Sequence, residues 1–412
     1  MTKRTKRKIR IAAVALVLLA IATGFTAWYK IRRDVAQPQW ITSDARNDYL
    51  YGSVGAESTA GIPYWIWLAL PRLFPDYLHY PGGYVALGLS WEESREMPVG
   101  FSKKTVGYVR VAGNCALCHA RSYRTGPDET SAVVDAVRGR ATDIKPLLLF
   151  FHQCAADPRF NAGELLSEIG MATGLSFLDQ SIYRFALIPR TRQAMLNQES
   201  VIVDPDLQYH SRNPYAPFSS PRMKALEVRI RDAQAPAYPL PVNPALVAAG
   251  KPLFAQHCGS CHALDGQSKV IPIGEIGTDH EHLENWTQAA HADGASDRLG
   301  RERIEMVKNS GYLAGPLNGI WLRGPYLHNG SVPTVRALLQ PQAQRPRTFY
   351  RGNDLIDATG VGFLSTEAEE RGRRQFVFFD ASQRGNGNAG HLYGIGLSSS
   401  EKDALLEYLK TL

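Results

Sequence analysis

The feature that most constrains this chain is a five-residue pattern that occurs twice, at residues 115–119 and 258–262. Both copies read Cys-x-x-Cys-His; they contain Cys115, Cys118 and His119, and Cys258, Cys261 and His262. Two thiols at this spacing on a helical turn can reach the two vinyl groups of one porphyrin, and the adjacent histidine can then bind the iron. The pattern therefore predicts two covalently bound haem c groups, with His119 and His262 as proximal ligands.

A zinc site built from both cysteine pairs is the competing interpretation, because Cys-x-x-Cys is also a zinc-binding spacing. Histidine makes up only 11 of 412 residues, so its chance occurrence directly after both pairs is on the order of one in a thousand. Haem is the favoured prediction. The fifth cysteine, Cys154, is left over, and we expect it to be buried and inert rather than a reactive thiol.

The amino terminus predicts a membrane-spanning helix. Six of the first ten residues are basic and none is acidic, and an apolar run follows from Ile11 to about Tyr29. At a rise of about 1.5 Å per residue this run spans most of a bilayer core, and the basic flank remains in the cytoplasm. We predict a single-pass anchor at residues 1–30 in the inner membrane, with the bulk of the chain in the periplasm. A signal peptide cleaved after Ala20-Ile-Ala22 is the alternative.

The net charge of +7 does not indicate a nucleic-acid partner. Nine basic residues and no acidic one lie within the first 33 positions, which leaves 37 basic against 39 acidic residues for the remainder. The exported part is therefore nearly neutral, and the basic end is a topology signal beside anionic lipid. We exclude nucleic acid as a partner on this ground.

The remainder is predicted to be mainly α-helical, with two c-type cytochrome-like haem domains and long irregular connections. The N-terminal haem domain covers residues 31–240; it starts with a polar tether at 31–61 and ends with a proline-rich connector after Pro205. Residues 61–75 are expected to lie in its core, and residues 99–111 carry a weak strand signal. Residues 241–412 form the C-terminal cytochrome c domain.

Two helices frame this second domain. Asn243, followed by proline, predicts the start of the first, and Ser398 with Glu401 predicts a capping box on the last. They resemble the first and last helices of class I cytochrome c domains, which cross through a glycine and an aromatic residue. The matching positions are Gly250 and Phe254 against Leu405 and Tyr408.

The second haem needs a ligand on the other face of its iron. Met306 is the only methionine after His262, so a histidine is the favoured distal ligand. The candidates are His280, His282, His291, His328 and His391. For the first haem they are Met97, His152, Met171, Met195, His210 and Met223.

Two stretches carry a family resemblance. Residues 324–330, Gly-Pro-Tyr-Leu-His-Asn-Gly, resemble the Pro-Tyr-x-His-(Asp/Asn)-Gly motif of the di-haem cytochrome c peroxidase/MauG superfamily. The run from Gly315 through Trp321 to His391 is closer still to the rubber oxygenases, which are di-haem c-type dioxygenases of that superfamily. The resemblance covers roughly residues 241–412 and, more loosely, 97–125.

The resemblance implies roles for three residues. In the peroxidases the histidine of the motif lies near the haem without binding iron, which argues against His328 and favours His391 as distal ligand of the second haem. A bis-histidine haem is a low-potential electron-transfer centre. In the oxygenases the haem corresponding to that of His119 keeps its distal face open for O2.

The function predicted is that of a di-haem redox protein facing the periplasm. The second haem would relay electrons, and the first would react with peroxide or O2. Trp321 or Tyr326 could lie between the haems, although core packing is the favoured role. The alternative is a pure electron carrier with two six-coordinate haems that serves a membrane redox partner.

Overall fold

The computed structural model describes residues 3–78, 82–135, 144–197, 221–262, 268–284, 311–370 and 374–412. Helices predominate among them. The helices are α1 (Lys3–Arg32), α2 (Gln39–Thr42), α3 (Ala45–Tyr51), α4 (Tyr64–Leu73), α5 (Ala116–His119), α6 (Lys145–Ala156), α7 (Ala162–Ala172), α8 (Phe177–Ile182), α9 (Ile188–Leu196), α10 (Pro221–Arg231), α11 (Pro244–His257), α12 (Ile273–Ile276), α13 (Glu281–Glu284), α14 (Val335–Leu338) and α15 (Ser399–Lys410).

The strands form small antiparallel sheets. They are β1 (Asp34–Val35), β2 (Ile62–Pro63), β3 (Phe101–Val106), β4 (Tyr108–Gly113), β5 (Arg121–Tyr123), β6 (Ala132–Val134), β7 (Lys269–Pro272), β8 (Gly311–Ala314), β9 (Thr348–Arg351), β10 (Glu369–Glu370), β11 (Arg374–Gln375) and β12 (Val377–Asp380). One sheet has four strands in the order β1-β3-β4-β2; the others are the pairs β5–β6, β7–β8, β9–β12 and β10–β11. The strand signal over residues 99–111 is thus confirmed by β3 and β4.

Helix α1 leads directly into the folded part of the chain. Its segment Arg7–Arg32 is 26 residues long and apolar enough to cross a membrane, and no residue of its most apolar stretch is buried. This is consistent with a single-pass membrane protein. At its end, the Gly107 N–H donates to the Arg33 carbonyl at 2.7 Å, and Lys30 Nζ lies 2.7 Å from Asp179 Oδ1.

The predicted tether at residues 31–61 is wrong. Strand β1 pairs with β3, with Asp34 opposite Val106. Helix α3 buries Tyr49, Leu50 and Tyr51 in the core. The segment looks polar in sequence because charged residues surround this short apolar group. Its strand was not recognised because the partner of β1 lies far along the chain. The folded part therefore begins at the last turn of α1.

The first hydrophobic core contains α3, α4, α6, α7, the four-stranded sheet and the π-helical turn Tyr183–Leu187. Residues 61–75 belong to it, as predicted. Trp67 is 1% exposed and stacks on Tyr84 with ring centres 4.1 Å apart. Cys154 is also fully buried in this core, where burial raises the pKa of its thiol, so the prediction of an inert cysteine is supported.

The second core lies between α11, α15 and the loops from Ile320 to Phe363. The chain following the first Cys-x-x-Cys-His pattern reaches into it, because Tyr123 and Val134 pack against this core. The first core extends to Ala233, and Tyr238 already packs against the second. The domain limits at residue 240 stay a prediction.

A buried ion pair joins the two halves of the chain. Arg124 Nε lies 2.8 Å from Asp354 Oδ1, and both side chains are 4% exposed. The Arg124 N–H donates to the Asp354 carbonyl at 2.7 Å, and the Ile356 N–H donates to the Arg124 carbonyl at 3.0 Å. Because Arg124 follows His119 by five residues, this pair fixes the first haem motif against the C-terminal half.

Candidate haem sites

Helix α11 places the second Cys-x-x-Cys-His pattern beside the second core. The Asn243 side chain caps it by accepting from the N–H groups of Ala245 and Leu246. The helix crosses α15 at Gly250, where an added Cβ would lie 2.0 Å from the Ala404 carbonyl oxygen. Phe254 packs on Tyr408 with ring centres 5.4 Å apart. The predicted crossing and the Ser398–Glu401 capping box are both present.

His262 follows this helix and is held in a defined orientation. Its Nδ1 atom lies 2.7 Å from the Gly315 carbonyl oxygen. A carbonyl accepts, so Nδ1 carries the proton and the lone pair is on Nε2. Burial lowers the pKa of His262, while the Gly315 carbonyl works in the opposite direction. The neutral ring therefore presents Nε2 as a metal ligand.

His391 lies on a loop with unusual backbone geometry. Its φ is +48°, and that of Gly390 is +72°. A Cβ on Gly390 would lie 2.3 Å from the Gly277 carbonyl carbon, so only glycine permits this close approach. The His391 N–H donates to the Ile276 carbonyl at 2.8 Å. Left-handed backbone in a residue with a side chain costs energy and is concentrated at functional positions.

The structure brings His262 and His391 together. Their ring centres are 6.2 Å apart. Iron–nitrogen bonds of about 2.0 Å and about 1.2 Å from nitrogen to ring centre would place two axial imidazoles about 6.4 Å apart. His391 Nδ1 is buried and has no hydrogen-bond partner among the described residues. The pair therefore fits a haem iron between the rings.

The electrostatics of His391 also suit a metal ligand. Burial lowers its pKa to about 4, and the neighbouring His262 contributes in the same direction. The ring is therefore neutral near pH 7, and its lone pair is available. Cys258 behaves similarly, since burial and then Cys261 raise its thiol pKa to about 11.

Arg345 positions the His391 loop, and sequence reasoning missed it. Its side chain donates to the carbonyls of Asn388 at 2.5 Å, Gly390 at 2.9 Å and His391 at 3.3 Å. It also donates to Gln340 and Leu338 on the other side. Burial lowers its pKa. One arginine thus connects the loop to the segment after α14.

The other histidine candidates for the second haem are placed differently. His280 is exposed, as predicted for a solvated loop. His328 stacks on Tyr312 with ring centres 3.8 Å apart. His291, Met306 and the side chain of His282 lie outside the described residues. Asn329, next to His328, donates to the carbonyls of Gly385 and Gly387 and so supports the loop that leads to His391.

The first Cys-x-x-Cys-His pattern forms α5, and Asn114 fixes its start. The Asn114 side chain accepts from the Ala116 N–H at 2.9 Å and donates to the carbonyls of Leu50 and Gly52. Gly100 has a φ of +84°, and a Cβ there would lie 2.2 Å from the backbone of Leu117. Cys115, Cys118 and His119 are each half-buried on this turn.

Two buried polar groups beside α5 suit a haem propionate. Tyr49 Oη and Arg229 Nε are buried atoms with no hydrogen-bond partner among the described residues, while Nη2 of the same arginine pairs with Asp135 Oδ2. The Arg229 guanidinium lies 5.1 Å from the Tyr49 ring centre. Burial raises the pKa of Tyr49, with smaller contributions from Cys115 and other acidic groups. The phenol therefore stays protonated and can donate to a carboxylate.

The candidates for a distal ligand of the first haem differ in environment. Met97 and Met195 are buried in the first core, and Met171 is exposed. His152 Nδ1 is buried without a hydrogen-bond partner in the described part of the chain. His210 lies outside the described residues, as does the side chain of Met223. The distal ligand of this haem stays unassigned.

The zinc interpretation is not supported. Across the described residues, which include all five cysteines, no group of three or more His, Cys, Asp or Glu side chains could hold a metal ion. The four-cysteine zinc site considered above would need both cysteine pairs in one place. Instead Cys115 packs against the first core and Cys258 against the second.

Comparison with known proteins points to haem as well. Residues 311–350 match the sequence model of a family described as RoxA-like, cytochrome c-like. This stretch contains Gly315, which accepts from His262, and His328. The match supports a cytochrome c-like protein. The match also implies that the cofactor is haem c. The number of haems stays a prediction.

Two curated relatives come from Sinorhizobium fredii. Uncharacterized protein y4iJ is 44% identical over 110 residues, which are 24% of this chain and 18% of that protein. Uncharacterized protein y4iM is 32% identical over 155 residues, which are 31% of this chain and 35% of that protein. The matched stretches thus span well under half of either relative.

Proposed function

We propose that this protein is a membrane-anchored, periplasm-facing di-haem c-type cytochrome of the di-haem peroxidase/MauG superfamily. Its C-terminal haem would relay electrons, and its N-terminal haem would react with peroxide or O2. The observation that carries the proposal is the spacing of 6.2 Å between the rings of His262 and His391. A covalent attachment pattern, a proximal histidine and a second buried imidazole meet at one place.

The residues of the second site support electron relay rather than substrate binding. A haem held by Cys258 and Cys261 supplies one-electron chemistry when bound. The Gly315 carbonyl keeps the proton on His262 Nδ1 and makes Nε2 more basic. His391 would hold the same haem from its other face, which would exclude a small molecule from that position. Arg345 holds the His391 loop in place.

The first site is proposed as the reactive one on the strength of the resemblance to the rubber oxygenases. His119 is its proximal ligand, and Tyr49 and Arg229 would hold the propionates. The rival function is electron transfer alone, with both irons six-coordinate. Helix α1 favours this rival, because an anchor raises the local concentration of membrane redox partners.

Haem counting and electron paramagnetic resonance (EPR) test the proposal. The full chain, matured in the periplasm and purified in detergent, should contain two haems. Replacing Cys115 and Cys118 by alanine, or Cys258 and Cys261, should leave one. The ferric protein should show one high-spin and one low-spin signal. Two low-spin signals would favour the electron carrier, and protein without covalent haem would refute both functions.

A further inference from the structure

A helical stretch beside the end of α1 exposes an unusual apolar face. Helix α8, the π-helical turn Tyr183–Leu187 and α9 run continuously from residue 177 to residue 196. Tyr183 and Leu187 face the first core and are buried. Phe177 and Phe185 point away from it and are 87% and 78% exposed. This face has no covering element among the described residues.

The exposure is concentrated at one place. Outside α1, the three most exposed large apolar side chains of the described part are Met171, Phe177 and Phe185. All three lie within fifteen residues, whereas single exposed apolar residues are usually scattered. At helical spacing, Ser181 and Arg184 share the face of Phe177 and Phe185. Arg184 is exposed as well, so the face combines aromatic rings with a cation.

The position of this face relative to α1 is fixed by direct contacts. Lys30, in the last turn of α1, pairs with Asp179 of α8 at 2.7 Å. Arg33 Nε donates to the Gly107 carbonyl at 2.9 Å, and Tyr108 next to it packs on Tyr183 with ring centres 5.8 Å apart. Because the chain has no slack between α1 and the core, α8 cannot move far from the end of α1.

The end of α1 has the composition of a membrane interface. Phe25, Trp28 and Tyr29 are exposed on its last turns, and aromatic residues concentrate where the hydrocarbon meets the headgroups. Lys30 lies about 3 Å further along the helix axis than Trp28. The contact between Lys30 and Asp179 therefore places α8 at the level of the headgroups.

We infer that the face formed by Phe177, Ser181, Arg184 and Phe185 inserts into the outer headgroup region of the bilayer that α1 crosses. Phenylalanine rings would enter the boundary with the acyl chains, and Arg184 would meet lipid phosphate. Docking by α1 and α8 together fixes the tilt of the haem-bearing part over the membrane. The inference rests on the membrane anchoring proposed above.

Photo-crosslinking in intact membranes tests this contact. The photoreactive analogue p-benzoylphenylalanine replaces Phe177 or Phe185 in the full chain, and mass spectrometry identifies the adducts. Phe25 of α1 is the positive control. Phe378 on β12, which is 58% exposed, is the matched control away from the membrane.

Lipid adducts at positions 25, 177 and 185, at least tenfold above those at 378, would support the inference. Lipid adducts at position 25 without any at 177 or 185 would overturn it and leave the anchor intact. Adducts of 177 or 185 with a protein or with a second copy of the chain would overturn it too. A chain in the soluble fraction without adducts at position 25 would refute the anchor and the inference together.

Discussion

The imidazole rings of His262 and His391 lie 6.2 Å apart and are tilted by 43°, although one follows α11 and the other precedes α15. His262 is oriented by the Gly315 carbonyl. His391 is oriented by its loop, in which Arg345 donates to the carbonyls of Asn388, Gly390 and His391. The two rings are thus held independently, at a separation that ligation of one iron by both would require.

Replacing His391 by alanine should convert the second haem from low-spin to high-spin. Removal of one axial imidazole leaves the iron five-coordinate or bound by water, which weakens the ligand field. EPR of the ferric full chain measures the change, and imidazole added to the buffer should restore the low-spin signal. His280→Ala, at an exposed histidine, is the control. An unchanged low-spin signal in His391→Ala would disprove the assignment.

Arg345→Lys should weaken the binding of His391 to the iron of the second haem without removing the His391 side chain. Lysine keeps the charge but cannot reproduce a planar group that reaches five carbonyls. We expect the low-spin EPR signal to broaden or to lose intensity to a high-spin form. Arg347→Lys, two residues away and exposed, serves as control. A loss of stability with an unaltered EPR signal would show that Arg345 stabilises the fold without positioning His391.

Local patterns predicted the parts of this site that depend on short stretches. The Cys-x-x-Cys-His pattern and the caps of α11 and α15 follow from neighbouring residues, whereas the crossing at Gly250 was implied by the resemblance to class I cytochrome c domains. Arg345 could not be predicted, because its partners are backbone carbonyls, which carry no sequence signal. The pairing of β1 with β3 was missed for a related reason: two residues of strand next to Arg33 give no periodicity, and their partners lie far along the chain.

Removing the Arg229 guanidinium or the Tyr49 hydroxyl should change the reduction potential of the first haem and leave that of the second unchanged. Arg229→Met removes the positive charge proposed to face a propionate and leaves Asp135 without this partner. Both effects favour the ferric iron, so the potential of the first haem should fall by on the order of 50 mV. Tyr49→Phe removes only a hydrogen bond, so a smaller shift in the same direction is expected. Redox titration followed by absorbance at both haems provides the measurement.

Tyr350→Phe in the second half of the chain is the control for Tyr49→Phe. Equal shifts at both haems would point to a global change of the fold. No shift at the first haem in Arg229→Met would mean that this guanidinium does not contact the cofactor.

Breaking the pair between Arg124 and Asp354 should destabilise the contact of the two halves. Both side chains are 4% exposed, and Arg124 also pairs with Glu370, at 2.9 Å between Nη1 and Oε1. Asp354→Asn removes one of these two carboxylates, so it should lower the free energy of unfolding by about 1.5–3 kcal/mol, the contribution of a hydrogen bond to a charged group. Urea unfolding followed by tryptophan fluorescence measures it.

The exposed pair between Arg336 and Asp403 is the matched control, because its side chains are 38% and 45% exposed. Asp403→Asn should cost less than about 1 kcal/mol. Similar losses in the two variants would show that burial does not determine the strength of the Arg124–Asp354 contact.

Gly250→Ala should destabilise the C-terminal half, because the crossing of α11 and α15 has no room for a Cβ. The added carbon would lie 2.0 Å from the Ala404 carbonyl oxygen and 2.8 Å from Tyr408 Cβ. Forcing the helices apart costs about 1–3 kcal/mol, more than the gain of up to about 1 kcal/mol from replacing a helical glycine. Gly170→Ala on α7 is the matched control, since nothing lies within 4 Å of its added Cβ. The control should gain stability in urea unfolding while Gly250→Ala loses it, and a gain in both variants would show that α11 and α15 do not cross at Gly250.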